Sequence, residues 1–368
     1  MMLALNEIRR GRGRFASIIA ALSLIVFLVL TLGALSDGLF YGATGAVRST
    51  NATAYAFSPD AKGSLIRSSL DPAQVREVAQ APGVAQASGL GVLLTAGKAP
   101  TGEYDVAIFG VQPDGAGVPT TLTDGRLPAP GEDGVAAIDK ELADQGVAIG
   151  DQVTVGSQGV EVVGIVRDSA YQLQPTVWTS IDTWRAMRNE VRPEFTGVTD
   201  DVNAVAIVTD PGVTPEQIQG EVGDLTVLSA DATGLAIPGV EQQKSTLNSI
   251  IYTALAVAAL VVALFFALIV LEKRELFAAL KALGTPTRKL GVGVVLQAVI
   301  ASAIGVVIGA IASRALGAVV PDEVPTLFRT GTLVTIAVFT LVAGVVGAAF
   351  SLRRISKIDP ATAIGGTL

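Results

Sequence analysis

The sequence predicts an α-helical membrane protein with four transmembrane helices and an extracytoplasmic α+β domain set between the first and the second. Three observations carry that prediction. Half of the 368 residues are hydrophobic and only 16% are charged, whereas an ordinary soluble domain carries about 25% charged residues. The apolar residues gather into four charge-free runs, Phe15 to Leu35, Ile250 to Leu271, Leu290 to Ser313 and Gly331 to Leu352, of 21 to 24 residues each. A bilayer core of about 30 Å needs roughly 20 helical residues, so each run can span it, and each is too long and too free of charge for a buried core helix. The third observation is the segment 38–244, which holds 12 basic and 26 acidic residues and breaks into short pieces bounded by Gly, Pro and Asp.

In chain order, residues 1–14 form a basic, amphipathic N-terminal helix and 15–37 the first span. That span follows Arg9, Arg10, Arg12 and Arg14 and is longer than the apolar core of a secretory signal, roughly 7–15 residues. It therefore reads as an uncleaved anchor. The segment 38–244 is the α+β domain, 245–272 the second span with its external stalk, and 273–289 a loop. Residues 290–314 are the third span, 315–329 a short loop, 330–352 the fourth span and 353–368 the tail. The two ends and the loop, counted from Glu272 to Lys289, together hold 12 basic and 4 acidic residues. The positive-inside rule puts them in the cytoplasm and the acidic domain outside, in a bacterial plasma membrane.

Within the domain, Asp71-Pro72 opens a helix over 72–81, with Asp as N-cap and Pro at the first helical position. Thr214-Pro215-Glu216-Gln217 repeats the device, with Gln217 placed for a capping box. The shared pattern Pro-x-Gln-Val/Ile is either coincidence or the mark of two related βαβ-like halves, apart in sequence and joined in space. Strands are expected over 104–111, 135–139, 152–155, 160–166, 176–180 and 203–208. Asp124-Gly125, Asp133-Gly134 and 156–159 read as turns.

Composition excludes much chemistry. There is no Cys and no His, which removes thiol nucleophiles, disulfides, His-based metal sites and Ser-His-Asp triads. A net charge of −7 argues against a nucleic-acid partner. Glu132-Asp133 and Asp200-Asp201 are the paired carboxylates, each either a cation ligand or solvated surface. Ser245 adjoins Lys244, and neighbours in sequence do not share a helix face, so a Ser-Lys hydrolase finds no support. No intrinsic cofactor is expected, and the chain is not expected to be an enzyme on its own. Gly305-x-x-x-Gly309 in the third span permits close helix approach, within one subunit or between two. Arg314 ends that span, either reaching to the interface or meeting an anion.

The loop after the second span places Leu276, Phe277, Leu280 and Leu283 at helical spacing among Lys273, Arg274, Lys281, Arg288 and Lys289. That pattern is either a helix lying on the inner leaflet or one that docks into a cytoplasmic partner. Residues 280–288, LKALGTPTR, resemble the LRALGAT coupling-helix signature of FtsX/MacB-type ABC transporter permeases. The tail 353–364, RRISKIDPATAI, resembles their RxxxIDPxxAL ending. Ala4 to Arg10 is similar to their N-terminal helix, and Gly125-Arg126 through Gly164-Ile165-Val166 to their external GR…GIV pattern. Ile237-Pro238-Gly239-Val240-Glu241-Gln242-Gln243 to Leu247 is similar to the IPG…EQ.TL start of the second helix in a branch holding haem-exporter (HrtB-like) and DevC-like permeases.

The resemblance implies a non-catalytic permease subunit, paired with a second permease copy and two ABC ATPase subunits that bind ATP. It implies that ATP-driven motion passes through the coupling helix to the external domain and pushes an amphipathic substrate, haem as the specific expectation, outward from the outer leaflet. The family's coupling residues fall here on Glu275, Leu276, Phe277, Leu280, Lys281, Leu283, Gly284 and Arg288. In haem exporters a glutamate at the start of the second helix faces the haem, and the matching position is Glu241. It lies nine residues before Ile250, roughly 13 Å along a helix; as a first-turn carboxylate it equally suits the helix dipole. Tyr252 is the nearest aromatic, a second ligand or an interface anchor. With no His or Cys, haem iron would need carboxylate, Tyr or Met donors. The chain lacks G-x-x-x-x-G-K-[ST], so the ATPase is a separate chain. Membrane lipids are the remaining partner. The family also holds signalling members that regulate an external cell-wall hydrolase or sensor, which stands as the alternative, with export of a lipid or peptide.

Overall fold

A computed structural model describes residues 12–195, 200–272, 274–321 and 324–356. The expected N-terminal helix up to residue 11, Lys273 and the tail motif beyond Ser356 lie outside the described residues. In chain order the elements are α1 (Arg12–Arg48), β1 (Ala54–Phe57), α2 (Pro72–Gln80), β2 (Val84–Ala99), β3 (Gly102–Val111), β4 (Leu122–Gly125), β5 (Val135–Asp139), α3 (Lys140–Asp144), β6 (Gln152–Val155), β7 (Gln158–Val166), β8 (Thr176–Ser180), α4 (Ile181–Val191), β9 (Ala204–Thr209), α5 (Pro215–Gln219), β10 (Thr226–Ser229), α6 (Ala230–Ala236), α7 (Val240–Glu272), α8 (Arg274–Ala282), α9 (Thr287–Gly317) and α10 (Thr330–Ser356). The chain divides into two compact units, residues 1–38 with 244–368, and residues 39–243.

In the helical unit, four helices are long and apolar enough to cross a membrane: Phe15–Arg48, Val240–Glu272, Arg288–Gly317 and Thr330–Ala349. Their packing rests on small residues. A Cβ on Gly305 would sit 2.9 Å from Leu22 Cβ, and one on Gly309 2.8 Å from Val26 Cβ. The GxxxG ridge of α9 thus beds α1 within the same chain, which resolves the two readings of that motif. Gly347 of α10 meets the α7 backbone at Ala263 in the same way. Phe15, Ile18 and Leu22 of α1 interlock with Val262, Phe266 and Ile269 of α7 and Ala298 of α9. Close approach gains dispersion contacts where lipid offers no hydrophobic drive. Leu260, Leu264 and Leu268 of α7 face outward.

The α+β unit is organised by one sheet in the order β10-β1-β9-β2-β3-β8-β5-β7-β4, with β6 pairing β2 and β7. Its first four strands settle the question raised by the repeated capping pattern. β1 pairs antiparallel with both β10 and β9, and β2 pairs antiparallel with β9. Hence β1-α2-β2 and β9-α5-β10 are two βαβ halves, each straddling a strand of the other, the split βαβ arrangement. Both helices start as expected. Asp71 Oδ1 accepts from the backbone of Ala73 (2.7 Å) and Gln74 (2.9 Å), and Gln74 Oε1 accepts from Asp71 N–H at 3.0 Å. Gln217 Oε1 accepts from Thr214 N–H at 2.8 Å. Ala54 and Ala56 face Val75, Val78 and Ile218 of these helices. Tyr55 and Phe57 point to the opposite face, against Ala43 and Val47 of α1. That is the period-2 alternation of a sheet covered on both sides.

Between the halves runs the second lobe, β3 to β8. Asp124-Gly125, expected as a turn, instead ends β4, which pairs antiparallel with β7. The reversal follows it, over 126–134. Arg126 N–H donates to the Val163 carbonyl at 2.9 Å, and the Arg126 guanidinium holds Glu132 through both oxygens at 2.6 Å. That ion pair keeps the Glu132 carboxyl down at about 2.

The lobe's interior carries one polar chain. Asp139 caps α3 through Glu141 N–H (2.9 Å) and also accepts from the Ser169 backbone and hydroxyl. The Ser169 hydroxyl meets Thr176 Oγ1 at 2.7 Å, and Trp178 Nε1 donates to Thr176 Oγ1 at 2.8 Å. Burial pushes the Asp139 carboxyl above its ordinary 3.8, against the lowering effect of those donors. The folded state therefore takes this proton more readily than the unfolded chain does. The stability it contributes is complete below 3.8 and is lost as pH rises through the raised value. Glu132 has the opposite sign, so the measurement is a difference: Asp139→Asn is expected to remove part of the fall in melting temperature above that pH, followed by tryptophan emission.

Candidate functional site

Two places in the helical unit bear on function. The first is a groove of about 660 Å3 beside α7, lined by Ile25 and Leu28 of α1 and by Ser245, Thr246, Ser249, Ile250, Thr253, Ala254 and Val257 of α7. The wall is apolar apart from four hydroxyls. Two of them are occupied: Ser249 Oγ donates to the Ser245 carbonyl and Thr253 Oγ1 to the Ser249 carbonyl, each at 2.8 Å. Such back-bonding to the preceding turn leaves only lone pairs toward the groove. The volume falls in the usual range for small-molecule sites, about 300–1,000 Å3. An apolar body with few donors fits it better than a sugar or a peptide backbone.

Glu241 stands exposed in the first turn of α7. Tyr252 is 61% exposed on the same helix and is not among the residues lining the groove. Glu241 belongs to the α+β unit and Tyr252 to the helical unit. Of the groove residues, sequence reasoning weighed only Ser245, and as half of a Ser-Lys pair rather than as part of a binding wall. Their signal is the run Ser245, Ser249 and Thr253 at intervals of four, which marks one hydroxyl-bearing helix face at the start of an otherwise aliphatic span.

The second place is the loop helix α8. Its apolar residues do not form one face. Phe277 and Ala278 are buried among Phe266, Val270 and Val294. Leu276 is 48% and Leu283 82% exposed. Leu280 and Lys281 are half-buried, while Glu275 and Arg288 are exposed. Phe277 therefore clamps α8 to the spans, and Leu276 and Leu283, seven residues apart, project on the other side. The helix ends as the sequence requires. Gly284 N–H donates to the Lys281 carbonyl (3.0 Å) and Thr285 N–H to the Leu280 carbonyl (2.9 Å), with Gly284 at φ +87°. That is the Schellman motif, whose left-handed residue favours glycine. Pro286 then stands as N-cap of α9.

Other candidates resolve into local contacts. The Arg314 guanidinium lies 5.4 Å from the Phe328 ring centroid, a cation–π contact at the end of its span. Glu132 is taken by Arg126, and Asp201 accepts from Ser69 Oγ at 2.9 Å. Among the described residues no three His, Cys, Asp or Glu gather as metal ligands.

Residues 15–225 match the family model of the MacB-like periplasmic core domain, and residues 248–360 that of the FtsX-like permease C-terminal. An uncharacterised ABC transporter permease of Mycobacterium tuberculosis (strain ATCC 25618 / H37Rv) is 28% identical over 371 residues, covering 100% of this chain and 99% of the relative. The putative hemin transport system permease protein HrtB of Staphylococcus haemolyticus (strain JCSC1435) is 22% identical over 232 residues, 62% of this chain and 63% of that protein. Among solved structures, the periplasmic region of MacB from Actinobacillus actinomycetemcomitans aligns at 15% identity with a TM-score of 0.37, over 51% of this chain and 92% of that one.

Proposed function

This chain belongs to the ABC transporter permeases that join a MacB-like periplasmic core domain to an FtsX-like C-terminal, and on that premise we propose that it is the membrane subunit of an exporter of amphipathic molecules, with haem as its cargo. The observation that carries the proposal is the 660 Å3 groove beside α7. Its aliphatic wall suits the faces of a flat apolar ring system, and the Ser249 and Thr253 hydroxyls, whose protons are spent on backbone carbonyls, offer acceptors. The hemin-transport relatives, at 22% identity, make haem the specific candidate. Glu241 is assigned as the carboxylate that meets the cargo, and Tyr252 as an aromatic neighbour. No group in the chain binds ATP phosphates in a P-loop, so energy comes from an ABC ATPase partner. We assign two copies of that ATPase and a second copy of this chain. Both termini and α8 are placed on the cytoplasmic side of the plasma membrane, with the α+β unit outside. ATP binding would then act through α8 and α7 as a mechanical relay, rather than by opening a central pore.

The test is a haem titration of the full chain in detergent, read at the Soret band. Wild type is expected to saturate. Glu241→Ala is expected to weaken binding by about tenfold, the worth of one charge-assisted contact. Ser249→Phe puts a ring into the middle of the groove wall and is expected to weaken binding strongly. No saturation in wild type would remove haem as the cargo, and affinity unchanged in both variants would remove Glu241 and the groove as its site; either outcome leaves the permease assignment standing.

A further inference from the structure

The α+β unit holds a second concavity, a cleft of about 180 Å3 whose lining includes Arg67, Arg188, Arg192, Trp184, Asp201 and Asn203. Its charge is opposite to that of its surroundings. Segment 38–244 carries 26 acidic and 12 basic residues, yet three of the basic ones line this cleft beside a single acid. Arg188 is 6% exposed and held in place. Its guanidinium lies 4.8 Å from the Trp184 ring centroid. Its Nη1 donates to the Asp201 carbonyl at 3.0 Å, and its Nε and Nη2 donate to Asn189 Oδ1 at 3.2 and 3.1 Å. Burial, with Arg185 close by, lowers its affinity for its proton.

Trp184 supplies an independent observation. It is 1% exposed, and its Nε1–H is buried without an acceptor among the described residues. Buried donors are nearly always matched, so this ring, which backs the basic cleft, is an unusual place for an unpaired one. The chain makes room for that indole deliberately. A Cβ on Gly91 or on Gly110 would collide with it, so two strands carry glycine where the ring lies flat. The side chains of Arg67 and Arg192 have no ion-pair partner among the described residues.

We propose that this cleft binds a small oxyanion, a phosphate or carboxylate group, gripped by Arg67 and Arg192 and seated beside the Arg188–Trp184 stack. Guanidinium forks match both groups bidentately. At about 180 Å3 the cleft lies below the usual range for small-molecule sites, about 300–1,000 Å3. That suits a phosphate or a short carboxylate and excludes a cargo of haem size, so this site is separate from the groove of the helical unit.

Titration calorimetry on the full chain in detergent tests it, with inorganic phosphate, acetate and glycerol 3-phosphate against chloride at equal ionic strength. Saturable binding is expected for at least one oxyanion. Arg67→Gln and Arg192→Gln are each expected to weaken it about tenfold, and Arg76→Gln, an exposed arginine of α2, to leave it unchanged. Both cleft variants alter side chains at the cleft mouth while Arg188 keeps its packing, and an unaltered tryptophan unfolding curve confirms that the unit stays folded. Tighter binding of glycerol 3-phosphate supports an esterified headgroup as the ligand, and tighter binding of phosphate supports the free ion. Absence of saturable heat with all three, or affinity unchanged in both Arg67→Gln and Arg192→Gln, overturns the proposal. No ATPase or haem enters the measurement, so its outcome is independent of the transport reading.

Discussion

Gly164→Ala is expected to destabilise the α+β unit by about 3 kcal/mol, the upper end of the penalty for overpacking a close contact. A Cβ at Gly164 would fall inside the contact radius of the Arg126 carbonyl oxygen, with the Arg126 carbonyl carbon at 2.9 Å and its amide nitrogen at 3.1 Å behind it. The obstacle is backbone on both sides, so no rotamer change relieves it. The Arg126 backbone is pinned in turn by its N–H bond to the Val163 carbonyl and by the Arg126–Glu132 ion pair. Against a total stability of about 5–15 kcal/mol for a domain, such a loss is severe. Gly131→Ala is the matched comparison. Gly131 also belongs to this reversal, at φ +75°, but a Cβ there meets nothing within 4 Å. Only backbone strain of about 1–2 kcal/mol applies to it. Urea unfolding followed by tryptophan emission isolates the effect, because both tryptophans of the chain, Trp178 and Trp184, lie in this unit. Equal midpoints for the two variants would show that β4 and β7 approach less closely than described.

The same glycines explain what could and could not be read in the sequence. The strands 135–139, 152–155 and 176–180 were legible to the residue, because each is short and directly preceded by a breaker, Gly134, Asp151 or Pro175. The longest strand, β2 (Val84–Ala99), was not legible, since Gly89, Gly91 and Gly97 interrupt its pattern. Gly91 is there for the Trp184 ring and Gly89 for Val202, both distant in sequence. β1 and β10 have four residues each and give too little periodicity to find. The split βαβ pairing was visible only as a repeated four-residue capping pattern, because the second lobe separates its halves. Spans were plain, since twenty apolar residues need no partner to announce themselves. Their contacts were not, and the GxxxG ridge could be assigned to α1 only once Leu22 and Val26 were seen against it. In the loop helix, spacing alone put Phe277 and Leu283 on one stripe, whereas packing sends one inward and the other outward.

That division of α8 sets the second large expectation. Leu283→Asp is expected to abolish capture of the ABC ATPase partner, measured as the amount of ATPase that co-purifies with the permease from detergent. Leu283 is 82% exposed and Leu276 48%, so neither stabilises the permease by itself. Burying one leucine in a partner's pocket is worth about 1.5–3 kcal/mol, and placing a carboxylate there adds an unpaired buried charge. Together these amount to a weakening of at least about a hundredfold. Leu276→Asp should act in the same direction, less strongly because it is less exposed. Gly284→Val works differently. It leaves both leucines in place but forces a β-branched residue to φ +87°, breaking the Schellman closure and re-aiming Leu283. Partial retention of the ATPase is expected, with less stimulation of its hydrolysis by the permease. Phe277→Ala is the necessary contrast: its ring is buried among Phe266, Val270 and Val294, so it should lower the thermal stability of the permease by about 3–5 kcal/mol. If Leu283→Asp left ATPase capture intact while Phe277→Ala behaved as described, α8 would be a strut of the helical unit, and the ATPase contact would have to lie elsewhere on the chain.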